Sequence, residues 1–315
     1  MHLRASVLFI AGLLSIQFIA SAQAAQGQAN SGKSSAIAAS LTQRRDSLAV
    51  MSFNMWHKDQ PERLKIMAEQ LRADLKQLPD FILCQEVVFN RDGAEGNTAE
   101  VLGNQLGYYA RGAKRTSDRE GIAIISRYPF AYYAEKHLKS QTSRLLFGFN
   151  RVSVMGEFMV PGIGRVRVVD VHLTNWSFEH HIRRQQLEET LAWISQREAM
   201  VPAAVTILGG DFNSKGHWDE MQQLRQADAT GRIRFMNFNS QEPSMGSPGR
   251  PNKRIDHIFV SATQGAVQLV QEKLFWKEGL RDGSSRFYLS DHLCLLHIYS
   301  FKGVKDADVA SVESK

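Results

Sequence analysis

Gly210-Asp211-Phe212-Asn213 in the middle of the chain and Ser290-Asp291-His292 near its end combine carboxylates, an amide and an imidazole. Each lies beside an apolar run that reads as a buried strand, 203–208 in one case and 293–298 in the other. An unpaired carboxylate inside a strand costs several kcal/mol to bury. At a strand end facing a crevice, the same groups can converge on a metal or a phosphate.

The pattern recurs. Asn54 directly follows a first apolar run, where an isolated Asn is also an ordinary turn residue. Glu86 follows Phe81-Ile82-Leu83-Cys84-Gln85, and a glutamate there calls for a cation; hard divalent metals prefer oxygen ligands of this kind. Asp170 and His172 close another run, and by alternation they point the same way. Asp211 and Asn213 share a face if the backbone stays extended. The carboxylate can then activate or orient a water while the amide donates to a phosphate oxygen. The competing reading of Gly-Asp-x-Asn is an Asx turn. Asp256 sits in the apolar run 255–260 and needs a buried partner, and a carboxylate paired with His292 would fix its tautomer and raise its basicity.

The elements that must position these groups follow from periodicity. Strands are expected at 48–53, 81–84, 121–126, 152–158, 166–171, 203–208, 255–260 and 293–299, as short apolar runs or alternations bounded by turn residues. Helices are expected at 61–78, with Pro61 in the first turn, and at 179–197. Strands outnumber helices and do not alternate strictly with them, which favours mixed sheets with helices outside. The stretch 240–252 holds three prolines and two glycines and reads as a loop.

Bulk properties set the context. Residues 1–24 carry Arg4, an apolar stretch and Ala22-Gln23-Ala24, the pattern of a cleaved export signal. Residues 25–47 read as a flexible leader, 48–302 as one catalytic domain and 303–315 as a polar tail. The expected mature protein is exported to a periplasm or the medium and soluble. With 43% hydrophobic residues, global disorder is excluded. The formal net charge of +6 suits a polyanion or an anionic membrane surface without deciding between them. Cys84 and Cys294, both in apolar runs, read as buried free thiols rather than as a disulfide framework or a thiolate metal site. Arg111, Lys114, Arg115 and Arg119 cluster in an expected surface loop, a candidate polyanion rim, and Trp176 and Phe178 put two aromatics in a loop beside the site.

In order, Ser52-Phe53-Asn54, Cys84-Gln85-Glu86, Gly121-Ile122-Ala123-Ile124-Ile125-Ser126-Arg127, Val171-His172-Leu173, Gly210-Asp211-Phe212-Asn213, Arg254-Ile255-Asp256-His257 and Ser290-Asp291-His292 resemble the endonuclease/exonuclease/phosphatase (DNase I-like) superfamily. The resemblance implies a four-layer α/β sandwich, two mixed β-sheets packed face to face with helices outside. It implies a Mg²⁺-dependent phosphoester hydrolase, with Mn²⁺ or Ca²⁺ as alternatives, acting by in-line attack of water and without a stable protein partner, as a monomer. Glu86 then corresponds to the principal metal ligand, with Asn54 and Asp291 beside it. Asp211 corresponds to the residue activating water, and Asn213 to a phosphate or water orienter. His292, held by Asp256, and His172 correspond to the imidazoles that support the transition state. Glu120 stands where a partner of the first histidine is expected, and Arg151 resembles a phosphate-contacting arginine. Asp118 replaces a tyrosine common in DNase-like members. Asn252-Lys253-Arg254-Ile255-Asp256 stands where inositol 5-phosphatases carry Trp-Cys-Asp-Arg. Nucleic acid is the expected substrate, with Arg115, Arg119 and Trp176 contacting it. The alternatives are a phospholipid, as in neutral sphingomyelinases, and a non-catalytic binding or toxin-type module on the same fold.

Overall fold

The computed structural model describes residues 45–56, 61–89, 96–115, 119–138, 151–175, 180–226, 228–263, 265–282 and 285–302. The expected signal, most of the leader, the polar tail, Asp118, Trp176 and Phe178 lie outside these residues. Elements are numbered in chain order. One sheet runs β13–β16–β1–β2–β4–β3, built from β1 (Ser47–Asn54), β2 (Phe81–Val88), β3 (Tyr109–Lys114), β4 (Glu120–Ser126), β13 (Ala266–Phe275) and β16 (Cys294–Lys302). The other runs β5–β6–β7–β8–β12–β9, from β5 (Tyr132–His137), β6 (Val152–Val160), β7 (Gly164–His172), β8 (Val205–Asp211), β9 (Met236–Asn237) and β12 (Asp256–Ala262). β1–β2 and β7–β8 pair in parallel and their neighbours antiparallel, so both sheets are mixed.

Alternation along each strand builds four layers. On β1, Ala49, Met51 and Phe53 pack under α1 (Pro61–Asp74) and α2 (Thr98–Leu106), through Leu64, Met67, Leu71 and Leu102. On the second sheet, Val169, Val171 and Leu208 pack under α3 (His180–Met200), through Leu187 and Ile194. The opposite faces meet in the middle, with the Phe81 and Phe158 rings 4.8 Å apart. The sheets approach so closely that a Cβ on Gly209 would lie 2.6 Å from the Leu83 side chain. The expected four-layer sandwich with helices outside is the observed fold. No helix among the described residues is long and apolar enough to cross a membrane.

Several elements differ from expectation. α1 stops at Asp74 rather than continuing to residue 78. α2 is additional: its start is a capping box in which Asn97 Oδ1 accepts from the Glu100 amide at 3.0 Å while Glu100 accepts from the Asn97 amide. The basic segment expected as a loop is in part β3, an edge strand paired with β4. The stretch 240–252 contains a ribbon, β10 (Met245–Ser247) with β11 (Arg250–Lys253), and a second ribbon joins β14 (Leu280–Asp282) to β15 (Ser285–Phe287). Cys84 and Cys294 are buried free thiols, as expected.

Alternation puts Glu157 and Arg167 on the outer face of the second sheet, where an apolar reading has no use for them. Arg167 Nε and Nη2 donate to Glu157 Oε1 at 3.0 and 2.9 Å, and its Nη1 donates to Glu198 of α3 at 2.6 Å. All three residues are fully buried, and Arg197 adds a further donor to Glu157 at 2.8 Å. The cluster ties α3 to the sheet, and removing one partner strands buried charge. Glu157→Ala is expected to cost about 3–5 kcal/mol in urea unfolding; a loss under about 1 kcal/mol would show the cluster to be dispensable.

Candidate active site

The strand directions bring one end of the sandwich together. β1, β2, β7 and β8 finish there, while β4, β6, β12 and β16 begin there, because each of the latter runs antiparallel to one of the former. Asn54, Glu86, His172, Asp211, Asp256 and His292 therefore meet at a cleft of about 490 Å³, together with Asn175, Asn213 and Asp291.

Three of these positions depend on unusual backbone. Glu86 does not follow its strand: β2 continues to Val88 across a bulge at Gln85/Val87, and Glu86 at the bulge has φ +54°. Plain alternation would turn Glu86 toward the helix layer with Cys84; the bulge re-aims it to within 3.1 Å of the Asn54 amide. Asn213, at φ +50°, leaves the extended path that would have aligned it with Asp211. Its amide N–H instead donates to Asp211 Oδ1 at 2.8 Å, so the Asx turn forms, and its side chain donates to the Leu173 carbonyl. Trp56, at φ +52°, donates its N–H to Asn54 Oδ1 at 2.9 Å, which leaves Asn54 Nδ2 to bridge Glu86 and Asp211. Each such residue stores roughly 1–3 kcal/mol of strain. Among the described residues, three of the four non-glycine left-handed positions line this cleft.

Asp211 is the hub. Its Oδ2 accepts from Asn54 Nδ2 at 3.1 Å and lies 3.6 Å from His172 Nε2 and 3.7 Å from His292 Nε2. Burial, with Asp256 adding repulsion, lifts its carboxyl to about 7 against the pull of His292. His292 Nδ1 lies 2.9 Å from Asp256 Oδ2, and Ser244 Oγ donates to that oxygen at 2.6 Å. Burial disfavours the His292 imidazolium, but Asp256 and Asp211 overcome it and raise its pKa to about 10. His172 goes the other way: burial, then Arg151 and Arg115, push it well below the usual range. One imidazole is thus a cation and the other neutral at neutral pH, which divides the roles available to them.

Asp170 and His172 do share a face, as alternation predicts, but Asp170 lies deeper. Its carboxyl, raised well above the ordinary range chiefly by burial, accepts from Gln85 Nε2 at 2.7 Å between the sheets. Glu120, expected beside His172, is ion-paired with Arg115, and the Asp211 carboxylate lies 3.6 Å from His172 Nε2. Arg115 is itself buried rather than part of an exposed rim, and it acts electrostatically on His172 and Arg151. Arg111 lies over the Phe130 and Tyr133 rings, at 5.6 and 5.7 Å, while Lys114 and Arg119 are exposed. The basic cluster is therefore divided among three environments. Arg151, fully desolvated and brought down to about 10 by that burial, still carries its charge at neutral pH. Its Nε and Nη1 have no hydrogen-bond partner among the described residues. Ser244, Trp56, Asn175 and the β10–β11 ribbon were not signalled by the sequence; Met245 of that ribbon bridges to His292.

Two donor sets could hold a metal. Asp211, Asp256 and His292 bring ligand atoms within 4.8 Å of one another. That trio is already satisfied as a carboxylate–imidazolium–carboxylate array. Glu86 and Asp291 supply carboxylate oxygens, with the Asn54 amide beside Glu86, and Glu86 adds repulsion to the burial that raises the Asp291 carboxyl. Like charges held together by oxygen donors fit a hard divalent cation better.

Gly210 holds the hub in place. At φ +132° a Cβ there would lie 2.1 Å from the Val171 carbonyl and 2.7 Å from Asp170. Gly210→Ala is expected to destabilise by about 2–4 kcal/mol in urea unfolding; a change within about 0.5 kcal/mol would contradict the packing described.

A model of the Endonuclease/Exonuclease/phosphatase family matches residues 51–292. No curated protein matches the sequence significantly. Among solved structures, the human Nocturnin catalytic domain with bound sulfate is 18% identical, with 82% of this chain and 96% of that chain covered and a TM-score of 0.60. A humanized D. rerio TDP2 is 18% identical over 81% and 100% of the two chains, TM-score 0.60. ANGEL2, a 2′,3′-cyclic phosphatase, in complex with adenosine-2′,3′-vanadate is 17% identical over 81% and 96%, TM-score 0.62. At these identities the structures share the fold alone. The match of the family model across most of the chain, together with that fold, establishes that the chain belongs to the endonuclease/exonuclease/phosphatase family.

Proposed function

We propose that the protein is an exported, Mg²⁺-dependent phosphodiesterase acting on nucleic acid, by in-line attack of water on phosphorus. The observation that carries this reading is Arg151: a buried cation in electrostatic range of Asp211 and Glu86, whose Nε and Nη1 have no hydrogen-bond partner among the described residues. That is an anion site beside a base and an oxygen-rich cation site. A divalent cation held by Glu86, Asn54 and Asp291 would neutralise phosphate charge that otherwise repels a nucleophile.

The chain's own groups divide the remaining work. Arg151 and Arg115 draw the phosphate in and hold its equatorial oxygens. Asp211, balanced near neutrality, takes the proton of the attacking water through Oδ2. Asn54 Nδ2 and the Asn213 amide keep that carboxylate oriented. His292, cationic and fixed by Asp256 and Ser244, presents Nε2–H to the charge that develops in the transition state. Neutral His172 donates a hydrogen bond without adding charge. No covalent enzyme intermediate is required.

Export rests on the basic, apolar and small-residue pattern of residues 1–24, and nucleic acid on the basic net charge and the aromatic-lined cleft. That ANGEL2 is a 2′,3′-cyclic phosphatase, seen in complex with adenosine-2′,3′-vanadate, makes a nucleotide ester a chemically consistent choice. The second reading, a phospholipid diesterase, draws on the same charge.

The test is hydrolysis of bis-p-nitrophenyl phosphate, single-stranded DNA, RNA and sphingomyelin liposomes, with Mg²⁺ and with EDTA. Metal-dependent cleavage of nucleic acid is expected, and His292→Ala should cut turnover by about 10²–10³-fold with the fold intact by circular dichroism. Near-normal turnover of that variant would remove His292 from the mechanism; cleavage of liposomes alone would move the assignment to lipid.

A further inference from the structure

Gln85 and Asp170 are buried polar residues to which the proposed hydrolysis gives no part. Gln85 Nε2 donates to Asp170 Oδ1 at 2.7 Å, and both residues are fully buried. The bond crosses from one sheet to the other, since Gln85 belongs to β2 and Asp170 to β7. By alternation the same two faces carry Phe81 and Leu83 on β2 and Val166 and Val168 on β7, all fully buried. A polar pair therefore stands at the end of an apolar layer.

Cohesion does not account for it. Gln85 Oε1 and Asp170 Oδ2 have no hydrogen-bond partner among the described residues, so each side chain leaves an acceptor unsatisfied. A polar pair in that state costs more to bury than apolar side chains of similar size. The neighbouring strand also gives way to it. A Cβ on Gly210 would come within 2.7 Å of Asp170 Oδ1.

Its position supplies a use. Gln85 is the last regular residue before the β2 bulge: it pairs with Ile122, Val87 pairs with Gly121, and Glu86 lies between them at φ +54°. Ladder bonds are disrupted at the extra residue of a bulge, so something else must fix its phase. Gln85 also stands in register with Asn54, whose Nδ2 holds Glu86 Oε1 at 3.1 Å. Asp170 shares its face of β7 with His172. The bond thus joins the strand that carries Glu86 to the strand that carries His172.

We propose that Asp170, acting through Gln85, is a positioning residue that holds the β2 bulge in the phase that aims Glu86 at the cation. Neither side chain touches the ion or the substrate. The inference rests on the metal-dependent reading of the cleft and adds to it a requirement set on the opposite sheet. A hydrogen bond does the work, so Asp170 needs only to accept one.

The experiment is Mn²⁺ binding to the full protein by calorimetry, with urea unfolding of the same variants. Gln85→Met combined with Asp170→Val replaces the pair by apolar side chains. This double variant is expected to unfold at the same urea concentration as wild type or a higher one. It should nevertheless bind Mn²⁺ on the order of tenfold more weakly, as when an outer partner of a metal ligand is lost. Asp170→Asn keeps an oxygen that accepts from Gln85 Nε2 and should bind Mn²⁺ as tightly as wild type. If the double variant does not fold, Gln85→Met alone gives the same comparison. Unchanged affinity in the folded apolar variant would overturn the proposal and leave the metal-dependent reading standing. An equal loss in Asp170→Asn would also overturn it, because charge and not the bond would then be at work. A wild-type protein that binds no Mn²⁺ would sink the metal-dependent reading, and this inference with it.

Discussion

In the proposed hydrolysis a carboxylate must stay charged enough to accept a proton in a place where charge is expensive, and that constraint bears on the whole arrangement of the cleft. Asp211 is almost fully buried, and burial alone would keep it protonated. His292, the Asn54 amide and the Asn213 N–H pull it back toward the ionised form. His292 can do so only because Asp256 and Ser244 hold it as a cation of the right orientation. The chain of dependence runs Ser244 to Asp256 to His292 to Asp211, and every link is buried. A polar array of this kind is valuable when complete and costly when broken.

Positioning is achieved by placing strand ends, then departing from strand geometry by one residue where needed. The eight strands that finish or begin at the cleft supply rigid anchors, whose interior faces are filled by large apolar side chains. On that frame, a bulge re-aims Glu86, left-handed turns fix Asn213 and Trp56, and Gly210 lets β8 approach β7 within touching distance. The strain is local and small beside the burial that holds the sheets together. The Glu157–Arg167–Glu198 cluster acts at a distance, fixing α3, whose first turn carries His180 and Arg183 toward the cleft.

Much of this was legible in the sequence, because a polar residue closing an apolar run is informative in proportion to what its burial would cost. Asn54, Asp211, Asp256 and His292 stood out on that ground and do converge, and the Asp256–His292 pairing follows from Asp256's need for a partner. What alternation could not show was anything that breaks it. A bulge has no hydrophobic signature, so the sequence puts Glu86 after its strand, and only an extended path would align Asn213 with Asp211. The basic segment read as a loop since β3, an edge strand, alternates weakly, and charge alone did not reveal that Arg115 turns inward. The signal for α2 in the sequence is the capping box of Asn97-Thr98-Ala99-Glu100, at the start of a helix too short to show a strong apolar period. Ser244 offered nothing, since its role depends on a long-range approach to Asp256.

The proposed proton-handling array, Asp211 with His292 and Asp256, is distinct from the proposed cation site at Glu86 and Asp291, with Asn54 beside them. Crystals grown with Mn²⁺ and measured at the manganese absorption edge would locate the ion directly. An anomalous peak bounded by the Glu86 and Asp291 carboxylates is expected, with His292 Nδ1 still bonded to Asp256. A peak coordinated by Asp211, Asp256 and His292 would contradict it, because Asp211 would then be a ligand and not the base.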